Sequence, residues 1–259
     1  MPKVHPTAIV SPGAEIDPTV EIGPWCTIGS KVKIAKGTRL ISHVVVDGNT
    51  QIGEGNVIHP FAVLGGTPQD LKYKGEDTQL VIGSHNTIRE YVTMNLGTVG
   101  GGGVTRFGDH NLIMASAHLG HDCIVGSHTV IANVCAVAGH VMIEDYAILG
   151  GVSAVSQFVR VGAHTYVGGQ SGIEKDLPPY CIALGSRPCL IKGANIVGLK
   201  RRGFAVEVIQ KINEAIKLWI RPDAPKERCL LEIESQFGDV AEIREFVSFI
   251  RKSESGVIK

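Results

Sequence analysis

The stretch "AHLGHDC" (117–123) places His118, His121 and Asp122 within five positions. A neutral imidazole acts as a general base near pH 7, because its reference pKa of about 6.5 lies close by. A carboxylate beside it can fix one ring tautomer or stabilise the imidazolium. A rigid scaffold has to hold such groups, so the pattern around them decides what they can do.

That pattern is a period of six. Val4, Val10, Ile16, Ile22, Ile28, Ile34, Leu40, Val46, Ile52, Ile58 and Leu64 are all aliphatic. A small or β-branched residue follows four positions after most of them, and Pro6, Pro12, Pro18 and Pro24 keep the same step. An amphipathic helix repeats every 3.6 residues and is excluded. The period resembles the hexapeptide repeat of a left-handed parallel β-helix, with about three hexads per coil. One coil cannot bury its inner face alone, so coils must stack.

The predicted organisation is mainly β. A β-helix domain spans 1–184 and an α-helical domain spans 185–259. Excursions near 65–80 ("GGTPQDLKYKGEDTQ") and 97–106 ("GTVGGGGVTR") interrupt the coil, and the phase shifts by one after the second. Helical spacing in the tail predicts one helix through Val208–Ile220, a second around 225–237 and a third around 239–252.

Residues 18 apart share a register, with stacked backbones about 4.8 Å apart. His121 then stacks on Gly139 and Gly139 on Gln157, while Asp122 stacks on His140 and His140 on Phe158. None of these is an inward aliphatic. The expectation is a constellation of His121, Asp122, His140 and Gln157 on one outer edge of three coils, with His118 nearby. His5, His43, His59, His85, His110, His128 and His164 read as solvated turn residues. A zinc site is the competing reading of the cluster, but the H-x-x-x-x-H pair of hexapeptide-repeat carbonic anhydrases is absent, so no metal is expected. Cys26, Cys123 and Cys135 fall at small inward positions and read as core filler. No Gly-x-Ser-x-Gly elbow supports a serine nucleophile.

The formal net charge of zero gives no whole-chain field for nucleic acid. No run of apolar residues is long enough to span a membrane. The N-terminus shows no signal peptide, and the cysteine spacing suggests reduced thiols, so a cytoplasmic location is expected. Residues 186–228 carry ten Lys/Arg against four Asp/Glu, a local excess of six positive charges in a neutral protein.

The hexads together with "QDLKYKGE" (69–76), "AHLGHDC", "AGHV" (138–141), "QF" (157–158), "VGGQSG" (167–172), "PPY" and "GLKRRGF" (198–204) resemble the UDP-N-acetylglucosamine O-acyltransferases. The resemblance spans essentially the whole chain. It implies transfer of a 3-hydroxyacyl chain from acyl carrier protein to the 3-position of UDP-N-acetylglucosamine, the first step of lipid A biosynthesis. It also implies a homotrimer with sites between subunits. No cofactor is implied beyond the phosphopantetheine that the carrier brings.

In that resemblance His121 matches the general base, Asp122 its orienting carboxylate, and Gly139 the backbone N–H that holds the oxyanion. His118, His140 and Gln157 match residues lining the sugar and thioester site. Gln69, Asp70, Leu71 and Lys72 match acceptor-binding positions, and Asn195, Arg201 and Arg202 match tail residues that reach the UDP part. Gly169 matches the residue that sets how far the acyl groove stays open, with Tyr166 beside it. The basic tail is expected to dock the acidic carrier, through positions such as Lys217 and Arg221.

The sequence departs from the family pattern at Ser156, Val197 and Arg187, and "TMNLGT" (93–98) replaces Ile-His-Arg-Gly-Thr. These changes leave the acceptor open between a hydroxyl and an amino group at C3. A hexapeptide-repeat acyltransferase using coenzyme A, the later N-acyltransferase of the same pathway, and a non-catalytic β-helix scaffold are the other readings.

Overall fold

A computed structural model of the chain describes residues 1–222 and 224–259. Short strands recur every six residues and alternate among three parallel sheets of 11, 9 and 8 strands, here the first, second and third faces. Each strand pairs with one a coil later, as Lys3–Val4 pairs with Glu21–Ile22 and Ile9–Val10 with Thr27–Ile28. The chain therefore winds a triangular prism. The second residue of each strand points inward. Ile22, Ile28, Ile34, Leu40 and Val46 are all buried and form a single column of core.

Four residues turn each corner, and three of the four have a distinct task. At most corners the third has positive φ, as at Trp25, His43, Asp122 and His140. The second has no backbone acceptor facing its N–H, so Pro18, Pro24 and Pro60 lose nothing there. The fourth points inward and is small. Where it is polar it bonds along the stack. Asn56 Oδ1 accepts from Asn86 N–H at 2.9 Å, and Asn86 Oδ1 accepts from Asn111 N–H at 2.8 Å.

Both excursions leave from the same corner, between the second and third faces. The first separates strand Val63–Gly66 from Gln79–Ile82, and the second separates Thr93–Asn95 from Val104–Phe107. Residues 104–106, expected in the second excursion, are already strand. The next passage of that corner, one coil further on, is Gly120–Cys123. Two loops thus lie over the place where His121 and Asp122 turn.

The coil ends when Cys181–Leu184 joins the first face and pairs antiparallel with Leu190–Ala194. The predicted boundary at 184/185 falls inside this hairpin. Four helices follow: α1 (Ile196–Arg201), α2 (Val206–Trp219), α3 (Lys226–Phe237) and α4 (Ala241–Arg251). Periodicity did not indicate α1, which is too short to show a stripe. Ile212, Ile216, Trp219, Leu230, Ile233, Phe246 and Ile250 share one hydrophobic cluster with the coil. Arg160 stacks on Phe249 at 4.0 Å, and the Tyr180 hydroxyl donates to Glu245 at 2.5 Å, so α4 is fixed to the prism. Among the described residues no helix is long and apolar enough to cross a membrane.

Candidate active site

His121 is the second residue of its corner and Asp122 the third. Asp122 has φ +60°, a conformation that aspartate tolerates better than most side chains. Its N–H donates to Thr105 Oγ1 at 2.8 Å, which holds that turn. His121 Nδ1 lies 2.7 Å from Asp122 Oδ2. Because a carboxylate only accepts, the proton of this bond sits on Nδ1, and Nε2 keeps its lone pair.

The expected outer edge is not a solvent-exposed one. His121 and Asp122 are 6% and 5% exposed, because the second excursion folds down onto them. Thr98 donates twice to the Asp122 carboxylate, from its N–H to Oδ1 and from its hydroxyl to Oδ2, each at 2.7 Å. Gly101 lies flat against the same carboxylate, where any side chain would collide with it. Spacing arithmetic gave Thr98 and Thr105 no role. The loops break the register of 18, and no sequence signal says where a loop comes to rest.

Gly139 stacks beside His121 as expected. A Cβ on Gly139 would lie 2.6 Å from His121 Cε1, so only glycine fits under the ring. Its N–H occupies the corner's second position and donates to no group among the described residues. His140 stacks on Phe158 with centroids 4.5 Å apart, and its Nε2 is 3.8 Å from Asp122 Oδ2. Burial holds the His140 pKa below the ordinary value; His121 and Lys72 add to this, while Asp122 and Asp70 oppose it. The His118 pKa is also lowered, first by burial and then by His121, and its Nδ1 is 2.7 Å from Thr93 Oγ1.

A cleft of about 320 Å³ opens where the two excursions meet this corner, lined by Asp70, Lys72, Tyr73, Thr98, His140 and Phe158 among others. Gln69 and Leu71 sit exposed at the tip of the first excursion, and Gln157 is exposed at the corner. Ligand atoms of His121, Asp122 and His140 lie within 4.8 Å of one another, the reach of a metal ion. Both Asp122 oxygens already accept from Thr98 and His121, so a cation would have to displace those bonds.

The remaining candidates stand on other corners. Arg202 lies over the Tyr146 ring at 4.6 Å, on the corner between the third and first faces. Asn195 caps α1, accepting from Gly198 N–H, and donates to the His164 carbonyl at 2.9 Å, so much of its side chain is engaged structurally. Arg201 ends α1 and is exposed. Tyr166 points outward on the first face, and Gly169 is exposed at the corner between the first and second faces. One chain therefore does not gather all of these residues around His121.

Of the histidines read as solvated turn residues, His5, His43, His85, His110 and His128 are exposed and most of these also stack in columns, whereas His59 and His164 are half-buried. His85, His110, His128, Tyr146 and His164 stack at 4.8–5.0 Å, and His43 stacks with Phe61 at 4.8 Å, because identical corners repeat a coil apart. Lys217 and Arg221, expected to help dock the carrier, each already have a partner, Lys217 in Glu214 at 2.8 Å and Arg221 in Glu232. Asn195, which the resemblance assigns to the UDP part, also serves as the helix cap just described.

Comparison with known proteins gives the site a family. The chain is 46% identical over 259 residues, the full length of both, to the acyl-[acyl-carrier-protein]–UDP-N-acetylglucosamine O-acyltransferase of Thermodesulfovibrio yellowstonii. The chain belongs to the UDP-N-acetylglucosamine O-acyltransferase family. Its structure matches LpxA from Acinetobacter baumannii at 43% identity, with a TM-score of 0.95 over 99% of each chain. It matches the UDP-N-acetylglucosamine O-acyltransferase of Moraxella catarrhalis at 40% identity, with a TM-score of 0.94 over 99% of each chain. The family described as "Udp N-acetylglucosamine O-acyltransferase; Domain 2" matches residues 176–258, the end of the coil and the helices. The fold is that of this acyltransferase family, a left-handed parallel β-helix with C-terminal helices, and the protein is an acyltransferase.

Proposed function

We propose that this acyltransferase moves a 3-hydroxyacyl chain from an acyl carrier protein thioester to the 3-hydroxyl of UDP-N-acetylglucosamine, in a ternary complex. The buried His121–Asp122 pair beside the Gly139 N–H carries this reading. His121 Nε2 takes the hydroxyl proton as the sugar oxygen attacks the thioester carbon. The carbonyl oxygen becomes an oxyanion, which the Gly139 N–H receives. The intermediate collapses with loss of the carrier thiolate, which takes the proton back from the imidazolium. Asp122 stabilises the imidazolium between these steps. No covalent enzyme intermediate, metal or resident cofactor enters the sequence.

Asp70, Lys72, His140, Gln157 and His118 are assigned to the acceptor and thioester, with Gln69 and Leu71 at the loop tip. Support comes from the cleft that joins Asp70, Lys72 and His140. Asn195, Arg201 and Arg202 are assigned to the UDP part, where guanidinium groups suit a diphosphate. They stand on a different corner from His121, which supports assigning them to a neighbouring copy in a homotrimer with sites between subunits. Gly169 and Tyr166 are assigned to the acyl groove. The six cysteines are buried and unpaired, which suits the cytoplasm.

The deciding assay is turnover with 3-hydroxyacyl-loaded carrier and UDP-N-acetylglucosamine, with the 3-amino sugar analogue and acyl-coenzyme A as further arms. Transfer to the hydroxyl from the carrier is expected. Turnover only with the amino analogue, or only from coenzyme A, would replace this reading.

A further inference from the structure

Thr98 makes more polar contact with Asp122 than any other residue. Its N–H donates to Oδ1 and its hydroxyl to Oδ2, both at 2.7 Å, while His121 Nδ1 lies 2.7 Å from the same Oδ2. The Asp122 side chain is fully buried, so these three donors are its whole hydrogen-bonding environment among the described residues. We infer that Thr98 is a positioning residue for the general base, and that the glycine-rich second excursion exists to deliver it. This rests on His121 acting as that base.

The loop is built for the task. The N–H groups of Gly101 and Gly103 donate back to the Thr98 carbonyl at 3.0 and 2.8 Å, which closes a tight ring with Thr98 at its neck. Gly102 and Gly103 take φ +93° and +81°, which few other residues adopt. Gly101 presses on the carboxylate with no room for a side chain. The neck is also tied to the first excursion: Leu96 N–H donates to the Gly66 carbonyl at 3.0 Å, and Asn95 Nδ2 donates to that of Thr67 at 3.0 Å. Gly101 therefore serves close approach to Asp122, and Gly102 and Gly103 the turn beside it.

The consequence is chemical. A carboxylate gripped at both oxygens cannot swing, so Oδ2 stays aimed at Nδ1 and the ring keeps Nε2 free for the sugar proton. The Thr98 hydroxyl also draws off part of the negative charge on Oδ2. Removing that hydroxyl should therefore misplace the ring.

The test is Thr98→Val, which keeps the shape and the N–H bond, beside Thr98→Ser and His121→Ala. The measurements are kcat, KM for the UDP-sugar and thermal unfolding. Thr98→Val is expected to lower kcat by about tenfold to a hundredfold, as small misplacements of a catalytic group do, with KM nearly unchanged. Thr98→Ser should recover most of kcat. If the valine form does not fold, Thr98→Ala takes its place. A folded variant lacking the hydroxyl but with normal kcat overturns the inference, as does a loss that only tracks loss of folded enzyme. His121→Ala separates the two readings. An active His121→Ala enzyme defeats the general base itself, whereas an inactive one beside a normal Thr98→Val defeats only the role of Thr98.

Discussion

On the corner between the third and first faces, His85, His110 and His128 stand exposed, stacked ring on ring at 5.0 Å. On the corner between the second and third faces, His140 takes the same positive-φ position and stacks on Phe158 at 4.5 Å. The backbone treats these histidines alike. What differs is the covering. The first corner is open along most of its length, and its rings meet mainly one another. The second lies beneath two excursions, which bury His121 and Asp122 and bring Thr98, Asp70 and Lys72 into reach. Reactivity on this scaffold therefore follows from what a loop places over a turn, and residue type at the turn is a weak guide to it.

The widest separation between the corners should appear on removing one histidine from each. His121→Ala is expected to cost at least about a hundredfold in kcat, the usual worth of a general base. His128→Ala should leave kcat unchanged. Steady-state kinetics on both folded variants decides this, and equal losses would erase the distinction.

Gly139→Ala probes the covered corner more finely. The added methyl would lie 2.6 Å from the His121 ring, so the ring must shift. A displacement of that kind costs on the order of a hundredfold in rate. Gly37→Ala, in open space on the other corner, should cost no activity, although its positive φ should lower thermal stability.

The third corner tests whether an exposed glycine can govern substrate choice. A Cβ on Gly169 would sit 3.2 Å from the Gly151 carbonyl, so a larger residue fits with a small adjustment and projects outward. The proposed role of Gly169 in the acyl groove predicts a preference for longer 3-hydroxyacyl chains. Gly169→Met should switch preference to chains several carbons shorter. Losing four buried methylenes at about 0.8 kcal/mol each shifts selectivity by more than about a hundredfold. Competition among C10, C12 and C14 donors reads the order directly, and an unchanged order removes Gly169 as the ruler.

Carrier docking should respond less. Lys217 and Arg221 already hold Glu214 and Glu232, so exposed Lys226 and Arg228 are the better charges to reverse. Lys226→Glu with Arg228→Glu should raise KM for the carrier by several-fold at low salt and much less at high salt, with little change for the UDP-sugar. Equal changes for both substrates would place docking elsewhere.

The smallest effect belongs to the ring column. Burial, helped by Arg202, brings the His164 pKa down to about 4. Between the unfolded value near 6.5 and that value, the unfolded chain binds a proton that the folded chain refuses. Stability is therefore full above about pH 6.5 and falls as the pH drops toward 4. His164→Phe keeps the ring and removes the titration. Its melting temperature should fall less than that of the parent between pH 7.5 and 5, and parallel losses would show that His164 is not responsible.

Much of this was legible in the sequence because a coil of fixed length turns spacing into contact. Steps of 18 put His121 against Gly139 and His140 against Phe158, and the structure shows both neighbours. The six-residue period named the buried column from Ile22 onward, and helical spacing found α2, α3 and α4 near their observed bounds. The periodic backbone hydrogen bonds leave no freedom in these matters. Loops carry no such rule. Nothing in "GTVGGGGVTR" states that Thr98 closes on Asp122, or that a supposed outer edge is dry. The pairing of Lys217 with Glu214 likewise depends on side-chain packing that charge counting ignores. The sequence by itself determined which residues share a register, because the repeat sets their separation. Only the tertiary structure decided which of them are buried, paired and poised, because that depends on where two aperiodic segments come to rest.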